Sequence, residues 1–448
     1  MTSTASSLEF ENATYRKVTW RLMPFLFLCY ILNYIDRVNV GFAKLQMQQD
    51  LGFSDAVYGT GAGIFFLAYF FLEVPSNILM QKVGARFWMA RIMVVWGMVS
   101  ASMIFIRGTT SFYALRLLLG VAEAGFFPGI ILYLTFWYTR RHRVKMIAAF
   151  MSAIALSGVF GGPISGWILA HMSGVHGLRG WQWLFLLEGI PSIVVGLMAM
   201  FYLDDGPAKA KWLTADERAL LTKRLDEEEE LKKREANVQH TFMGAFRSGK
   251  VWAFCFIYFG FVMGNYGLGF WLPQIIKETL TKDLWRIGLI SMIPWGLGAI
   301  AMIVNGHHSD VTGERRWHIV VAGVVGCVAF AVSGLPGISG VAGIIALSFA
   351  CMGVMSAFTT FWALPAATLS GTAAAAGIAW INSVGNLGAF VSPFVVGHIR
   401  DATKSMTLAL MVLSACCLMS VLLVLLITRK PKPLHEGGVI LTGISNQR

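Results

Sequence analysis

Six ionisable side chains fall in stretches otherwise nearly free of charge. Asp36 and Arg37 lie in YILNYIDRVNVGFA, Glu73 in FLEVPSN, Arg116 and Glu123 in LRLLLGVAEAG, and Glu188 in FLLEGIPS. A guanidinium stays charged in a protein, and its planar fork suits a carboxylate held by two parallel hydrogen bonds. A carboxyl group can gain or lose a proton. Burial and a neighbouring arginine pull on it in opposite directions, so its charge can follow its access to water. Arg116 and Glu123 are two helical turns apart and share one face. Arg37, Asp36, Glu123 and Arg116 are therefore the candidates for binding an anion and exchanging protons. Glu73 and Glu188, beside Pro75 and Pro191, read as structural polar contacts between helices.

These groups sit in a chain of 448 residues that is 56% hydrophobic and only 13% charged, where a soluble domain carries about 25% charge. Mean hydropathy is +0.64. Twelve apolar runs, at 22–43, 57–80, 87–106, 111–138, 146–172, 181–203, 251–276, 286–305, 318–335, 340–362, 374–399 and 405–428, are each long enough to cross a bilayer of about 30 Å as a helix. The first lacks a small-residue cleavage site and is too long for a signal peptide, so it reads as a retained helix. An ionisable group at membrane depth costs roughly 2.5–3.5 kcal/mol, which makes each one a functional candidate.

The predicted organisation is a polar N-terminal tail (1–21), a six-helix bundle (22–203), a linker (204–250), a second six-helix bundle (251–428) and a C-terminal tail (429–448). The linker reads as an amphipathic helix opened by a capping pair, Thr214 and Glu217, with Glu227–Glu230 on a solvated face. Of the 36 Lys and Arg, 26 fall on the linker's side of the membrane and eight on the other, with Arg37 and Arg116 at depth. That bias predicts both termini in the cytoplasm. The net charge of +12 then follows from topology and anionic lipid, with no nucleic-acid partner.

The halves carry traces of duplication. QKVGAR after the second run and SDVTGERR after the eighth place Gly84 and Gly313, and Arg86 and Arg315, 229 positions apart. GVFGGP (158–163) in the fifth run and GAFVSP (388–393) in the eleventh are 230 apart. Paired halves of this kind bind substrate near the midplane and rock about it. Tyr34, Tyr69, Asn265, Trp362, Asn382 and Asn386 stand at positions that can line such a site.

Other chemistry finds little support. The six cysteines all lie in apolar runs without metal-like spacing. GTGAG (59–63) has no strand before it and reads as close helix packing. His307 and His308 have no metal-ligating company, and no P-loop, catalytic triad or zinc-protease motif occurs. No cofactor, metal or enzymatic activity is expected.

Seven segments, NYIDRVNVGFAK (33–44), LEVPSN (72–77), AEAGFFPGIILYLTFWY (122–138), GWQWLFLLEGIPS (180–192), LDDGPAKAKWLTADE (203–217), FWLPQIIK (270–277) and SGTAAAAGIAWIN (370–382), resemble the anion:cation symporter family of the major facilitator superfamily. The similarity runs to bacterial carriers of tartrate, phthalate, sugar acids and hydroxyphenylacetate. It implies that Asp36 and Glu123 are protonatable carboxylates, that Arg116 pairs with Asp36, and that Arg37 meets the substrate carboxylate. It also implies that Tyr34, Tyr69, Trp362 and Asn382 line the pocket. The superfamily's gating motif is degraded in the first half, where Gln81 stands in place of an aspartate beside Gly84 and Arg86. The second copy keeps Asp310, Gly313 and Arg315, so the latch between halves is expected to lean on it. GGPISG (161–166) resembles an antiporter motif and leaves anion exchange open.

The resulting expectation is an all-α integral membrane protein with the major facilitator fold, two pseudo-symmetric halves and a monomeric state. It lies in the bacterial inner membrane and imports a small organic acid with protons by alternating access. An organic anion exchanger is the alternative on the same fold. A membrane-embedded enzyme is the alternative from another class, and the nucleophile or metal cluster it requires is not found.

Overall fold

A computed structural model of the protein describes residues 2–235, 248–368 and 371–428. The tail expected over 429–448 and the linker's residues 236–247 lie outside the described residues. Among the described residues, twelve helices are long and apolar enough to span a membrane. They are span 1 (Leu8–Leu51), span 2 (Asp55–Val83), span 3 (Ala85–Phe105), span 4 (Thr109–Thr135), span 5 (Lys145–His171) and span 6 (Gly180–Tyr202) in the first half. The second half holds span 7 (Gly249–Thr279), span 8 (Leu284–Thr312), span 9 (Arg316–Ser333), span 10 (Gly340–Pro365), span 11 (Gly377–Thr403) and span 12 (Thr407–Ile427). The chain is an all-helical, multi-pass membrane protein of two six-helix halves.

Span 1 corrects the expected start. Its 44 residues reach about 66 Å at 1.5 Å per residue, twice the bilayer core. The segment expected as a tail is helical from Thr2, because Tyr15, Val18 and Leu22 share one buried face. Tyr15 stacks on His142, ring centres 3.9 Å apart. Lys17 Nζ pairs with Glu217 at 2.8 Å and Glu11 with Arg224 at 2.6 Å, tying this extension to the linker helix Ala215–Glu235. That helix opens on a reciprocal cap. The Thr214 amide donates to Glu217 Oε2 (2.8 Å), and the Glu217 amide donates to Thr214 Oγ1 (3.2 Å). The Glu227–Glu230 run is not simply solvated, for Glu228 Oε2 accepts from the Arg140 amide at 2.5 Å.

The halves meet mainly along two helix pairs, span 2 against span 11 and span 5 against span 8, with the end of span 1 also lying against span 7. The contacts repeat with the sequence. Gly59 lies against Pro393 and Gly397, where an added Cβ would stand 2.2 Å from the Pro393 carbonyl oxygen. Gly288, 229 positions on, lies against Gly162 and Gly166, its added Cβ 2.4 Å from the Gly162 oxygen. Both contacts fall toward the end bearing the 1–2, 5–6, 7–8 and 11–12 connections, here termed the far end, opposite the linker. Small residues let backbones approach this closely in a membrane, where hydrophobicity gives helices no reason to associate.

Candidate functional site

Span 4 is discontinuous where it reaches the centre. Its helix stops at Glu123 and resumes at Phe126. Gly125 between them has φ +88°, a left-handed turn in which a Cβ would strike Ser76 Oγ at 2.3 Å. The break places the Glu123 carboxylate, fully buried, against Arg37 of span 1. Arg37 Nε donates to Glu123 Oε1 at 2.8 Å, and its Nη2 donates to the same oxygen. Nη2 also lies 3.4 Å from Asn33 Oδ1, one turn earlier. Nη1 donates across to Tyr266 OH of span 7 at 3.3 Å. The guanidinium carbon stands 5.2 Å from the Tyr69 ring centre and 5.4 Å from that of Phe65. Desolvated arginine on aromatic faces gains further attraction.

Arg37 opens onto a cavity of about 60 Å³ between the halves. Tyr34, Tyr69 and Asn382 line it, as the sequence reading expected, with Asn265 and Asn386. Three hydrogen bonds cross between halves here: Arg37 to Tyr266, Asn265 Nδ2 to Tyr34 OH (3.2 Å), and Asn382 Nδ2 to Glu73 Oε1 (3.3 Å). One expectation needs correction. Trp362 is not on the wall but behind it, edge-on to Tyr258 with ring centres 4.8 Å apart. Glu73 makes the polar contact between helices that was expected of it, and it also faces the cavity.

The other two members of the expected charge group point elsewhere. Asp36 is fully buried and accepts from Trp96 Nε1 (3.0 Å), Ser100 Oγ (2.8 Å) and Ser192 Oγ (2.7 Å) of spans 3 and 6. Arg116 does not pair with it. Arg116 Nε and Nη2 donate to the Gly61 and Ala62 carbonyls of span 2, each at 3.1 Å. Consecutive residues on a helix are separated by about 100°, so Asp36 and Arg37 cannot face the same neighbour. Glu188 accepts from Ser165 Oγ at 2.7 Å, a tie between spans 5 and 6.

Among the described residues, the ion pair that joins the halves, Asp55–Arg400, lies at the far end and not at the expected motif. Asp55 of span 2 takes Lys44 Nζ at 2.7 Å and Arg400 Nε of span 11 at 3.0 Å. Arg400 also pairs with Glu278 of span 7. Lys44, one residue past the first apolar run, is fully buried 3.8 Å from the Trp271 ring centre. Tyr58 OH to the Phe270 carbonyl (2.9 Å) and Lys277 Nζ to the Leu45 carbonyl (2.6 Å) complete the closure. At the linker end the motif stays within each half. The Arg86 amide donates to Asp205 Oδ1 (3.1 Å), and Gly84, at φ +101°, packs on the same carboxylate. Arg315 pairs with Asp310 at 2.6 Å beside Gly313 at φ +67°. Tyr266 and Asn33 escaped the sequence reading altogether. The adjacent pair Asn265–Tyr266, amide beside phenol at depth, was the available signal.

Comparison with known proteins supplies a context for this arrangement. The sequence profile described as Major Facilitator Superfamily matches residues 26–393. A candidate tartrate transporter of Agrobacterium vitis is 47% identical over 432 residues, covering 96% of this chain and 98% of the relative. A quinolone resistance transporter of Acinetobacter baumannii is 40% identical, covering 94% and 96%. The inner membrane transport protein RhmT of Escherichia coli is 36% identical, covering 92% and 95%. Among solved structures, a bacterial homologue of the human lysosomal transporter Spinster, inward-facing and occupied, superposes with a TM-score of 0.74 at 14% identity, over 90% of this chain and 96% of that one.

Proposed function

The chain belongs to the major facilitator superfamily and is a transporter, not an enzyme, and on that premise we propose that it carries a small organic acid anion across the bacterial cytoplasmic membrane in symport with protons. The observation that carries this reading is the Arg37–Glu123 pair on the wall of a cavity between two halves. A permanent cation there holds an internal carboxylate in the place a substrate carboxylate would take. Protonating a Glu123 oxygen removes the charge that holds the pair together, and Arg37 then turns its fork to the substrate. When Glu123 loses that proton on the other side, it reclaims Arg37 and the anion leaves. Proton and anion are thus coupled through competition for one guanidinium.

Asp36 is proposed as a second coupling group. Its protonation would displace one of three donors and loosen the joint between spans 1, 3 and 6. Arg116 acts as the fixed tie of span 4 to span 2. Tyr34, Tyr69 and Asn382 contact the substrate. The excess of Lys and Arg on the linker side orients that side, with both termini, to the cytoplasm. The far-end ion pairs then form the closed outer gate, and the motif at Gly84, Arg86, Asp310, Gly313 and Arg315 engages when the halves rock the other way. One proton with a monovalent anion moves no net charge and is driven by the pH gradient, about 1.4 kcal/mol per unit.

Reconstituted into liposomes, the E123Q variant is expected to lose accumulation driven by a pH gradient while keeping exchange against preloaded anion. Unchanged concentrative uptake by E123Q would overturn the coupling. Uptake by the unaltered protein that survives an uncoupler in preloaded vesicles would favour the exchanger instead.

A further inference from the structure

Glu73 is the charge in the cavity that the scheme above does not use. It is buried, with 8% of its surface exposed, and lines the same cavity as Arg37. Its side chain accepts from Asn382 Nδ2 at 3.3 Å, and among the described residues no lysine or arginine pairs with it. An ionised carboxylate offers about four lone-pair sites, so one amide leaves most of them unused. A buried carboxylate without a cation is costly to keep. Tyr69 stands one turn before Glu73 on the same face, and Arg37 lies 5.2 Å from the Tyr69 ring centre. The cavity is therefore polarised: a permanent donor fork on one side of Tyr69 and, on the other, a carboxyl group that only accepts when ionised. Aromatic rings wall the space between, Tyr30, Phe66 and Phe127 from one half, Tyr258 and Phe358 from the other.

We infer that Glu73 recognises the end of the substrate opposite its carboxylate, and that this end carries a hydrogen-bond donor, a hydroxyl or an ammonium group. The inference rests on the carboxylate-transport reading and narrows its substrate class. Arg37 takes the carboxylate while Glu73 accepts from the donor. A second carboxylate at the far end would meet Glu73 as a like charge, and an unsubstituted alkyl end would leave the buried acid without a new partner. Because Asn382 belongs to the opposite half, a substrate engaging Glu73 also touches the contact that joins span 2 to span 11.

The test is binding to the purified full-length protein by calorimetry, using straight-chain carboxylates of three to six carbons, each unsubstituted or with an ω-hydroxy, ω-amino or ω-carboxy end. In the unaltered protein a donor-ended acid is expected to bind about tenfold to a hundredfold tighter than the unsubstituted acid of the same length. The ω-carboxy acid is expected to bind worst. A preference for the ω-amino arm identifies an ammonium, and one confined to the ω-hydroxy arm identifies a hydroxyl. In E73Q the ω-amino advantage should collapse and the ω-carboxy acid should rise relative to the unsubstituted one. A purely structural role would scale every arm by one factor. Unchanged ratios in E73Q, or no donor preference in the unaltered protein, overturn the inference while leaving carboxylate transport standing. Failure of every arm to bind the unaltered protein overturns both.

Discussion

The far-end closure can be weakened at one bond that joins the halves. Arg400→Gln removes the pair with Asp55 but leaves Asp55 with Lys44 at 2.7 Å, so the buried ammonium keeps its partner. Glu278, the other partner of Arg400, belongs to the same half and is 38% exposed on its side chain, so its loss costs little. Arg400 and Asp55 are 11% and 12% exposed on their side chains, which puts the bond between surface and interior. A charged hydrogen bond of that kind contributes about 1.5–3 kcal/mol net. At 1.4 kcal/mol per factor of ten, the ratio of open to closed far end should rise about tenfold to a hundredfold. The remaining bridges, Tyr58 to Phe270 and Lys277 to Leu45, keep the shift from being complete. The assay is pulsed electron resonance between spin labels at Gln49 and Lys404, both exposed at the far end, in a background with the six native cysteines replaced. The Glu278→Gln variant is the control, because that pair lies within one half. If Arg400→Gln gives the unaltered distance distribution, or the same shift as Glu278→Gln, the Asp55–Arg400 pair does not hold the gate.

Three further outcomes are expected. Arg37→Lys replaces a planar fork by a point charge and should weaken carboxylate binding at least tenfold by calorimetry, although the positive charge is kept. Gly288→Val should push spans 5 and 8 apart and raise the open population in the same spin-label assay, whereas Gly306→Ala, with nothing within 4 Å of an added Cβ, should not. At the linker, burial pushes the Glu217 carboxyl up, but the bonds from Lys17 and the Thr214 amide outweigh it and hold the group below its ordinary value of 4.5. A lowered carboxyl stabilises above its unfolded value and loses that contribution as pH falls through the folded one. Amide exchange over residues 8–21, divided by the intrinsic rate at each pH, should therefore rise on acidification below about pH 4.5, and Glu217→Gln should remove the effect.

Much of the fold was legible because its signals are local. Run length and hydropathy located the spans, and most helix ends fall within a few residues of the apolar runs. The Thr214–Glu217 cap was readable from a spacing of three. The start of span 1 was missed because its outer turns are amphipathic rather than apolar, and hydropathy is blind to a helix that packs on another part of the chain. At the site, Arg37 and Glu123 were legible as charges at depth, and the cavity collects Tyr34, Tyr69 and Asn382 as the resemblance implied.

What the sequence alone determined is which residues share a face of one helix, and at what depth. It did not determine how that face is turned toward its neighbours. The rotation of each span is set by contacts such as Gly59 on Pro393 and Gly288 on Gly162, and by the break at Gly125 that brings Glu123 onto Arg37, 86 positions away. Those contacts send Asp36 to Trp96 and the two serines instead of Arg116, put Trp362 behind Tyr258, bury Lys44 under Trp271 and turn Glu73 into the cavity. A helix's own periodicity carries no information about a neighbour's rotation. Only packing, summed over all twelve spans, selects it.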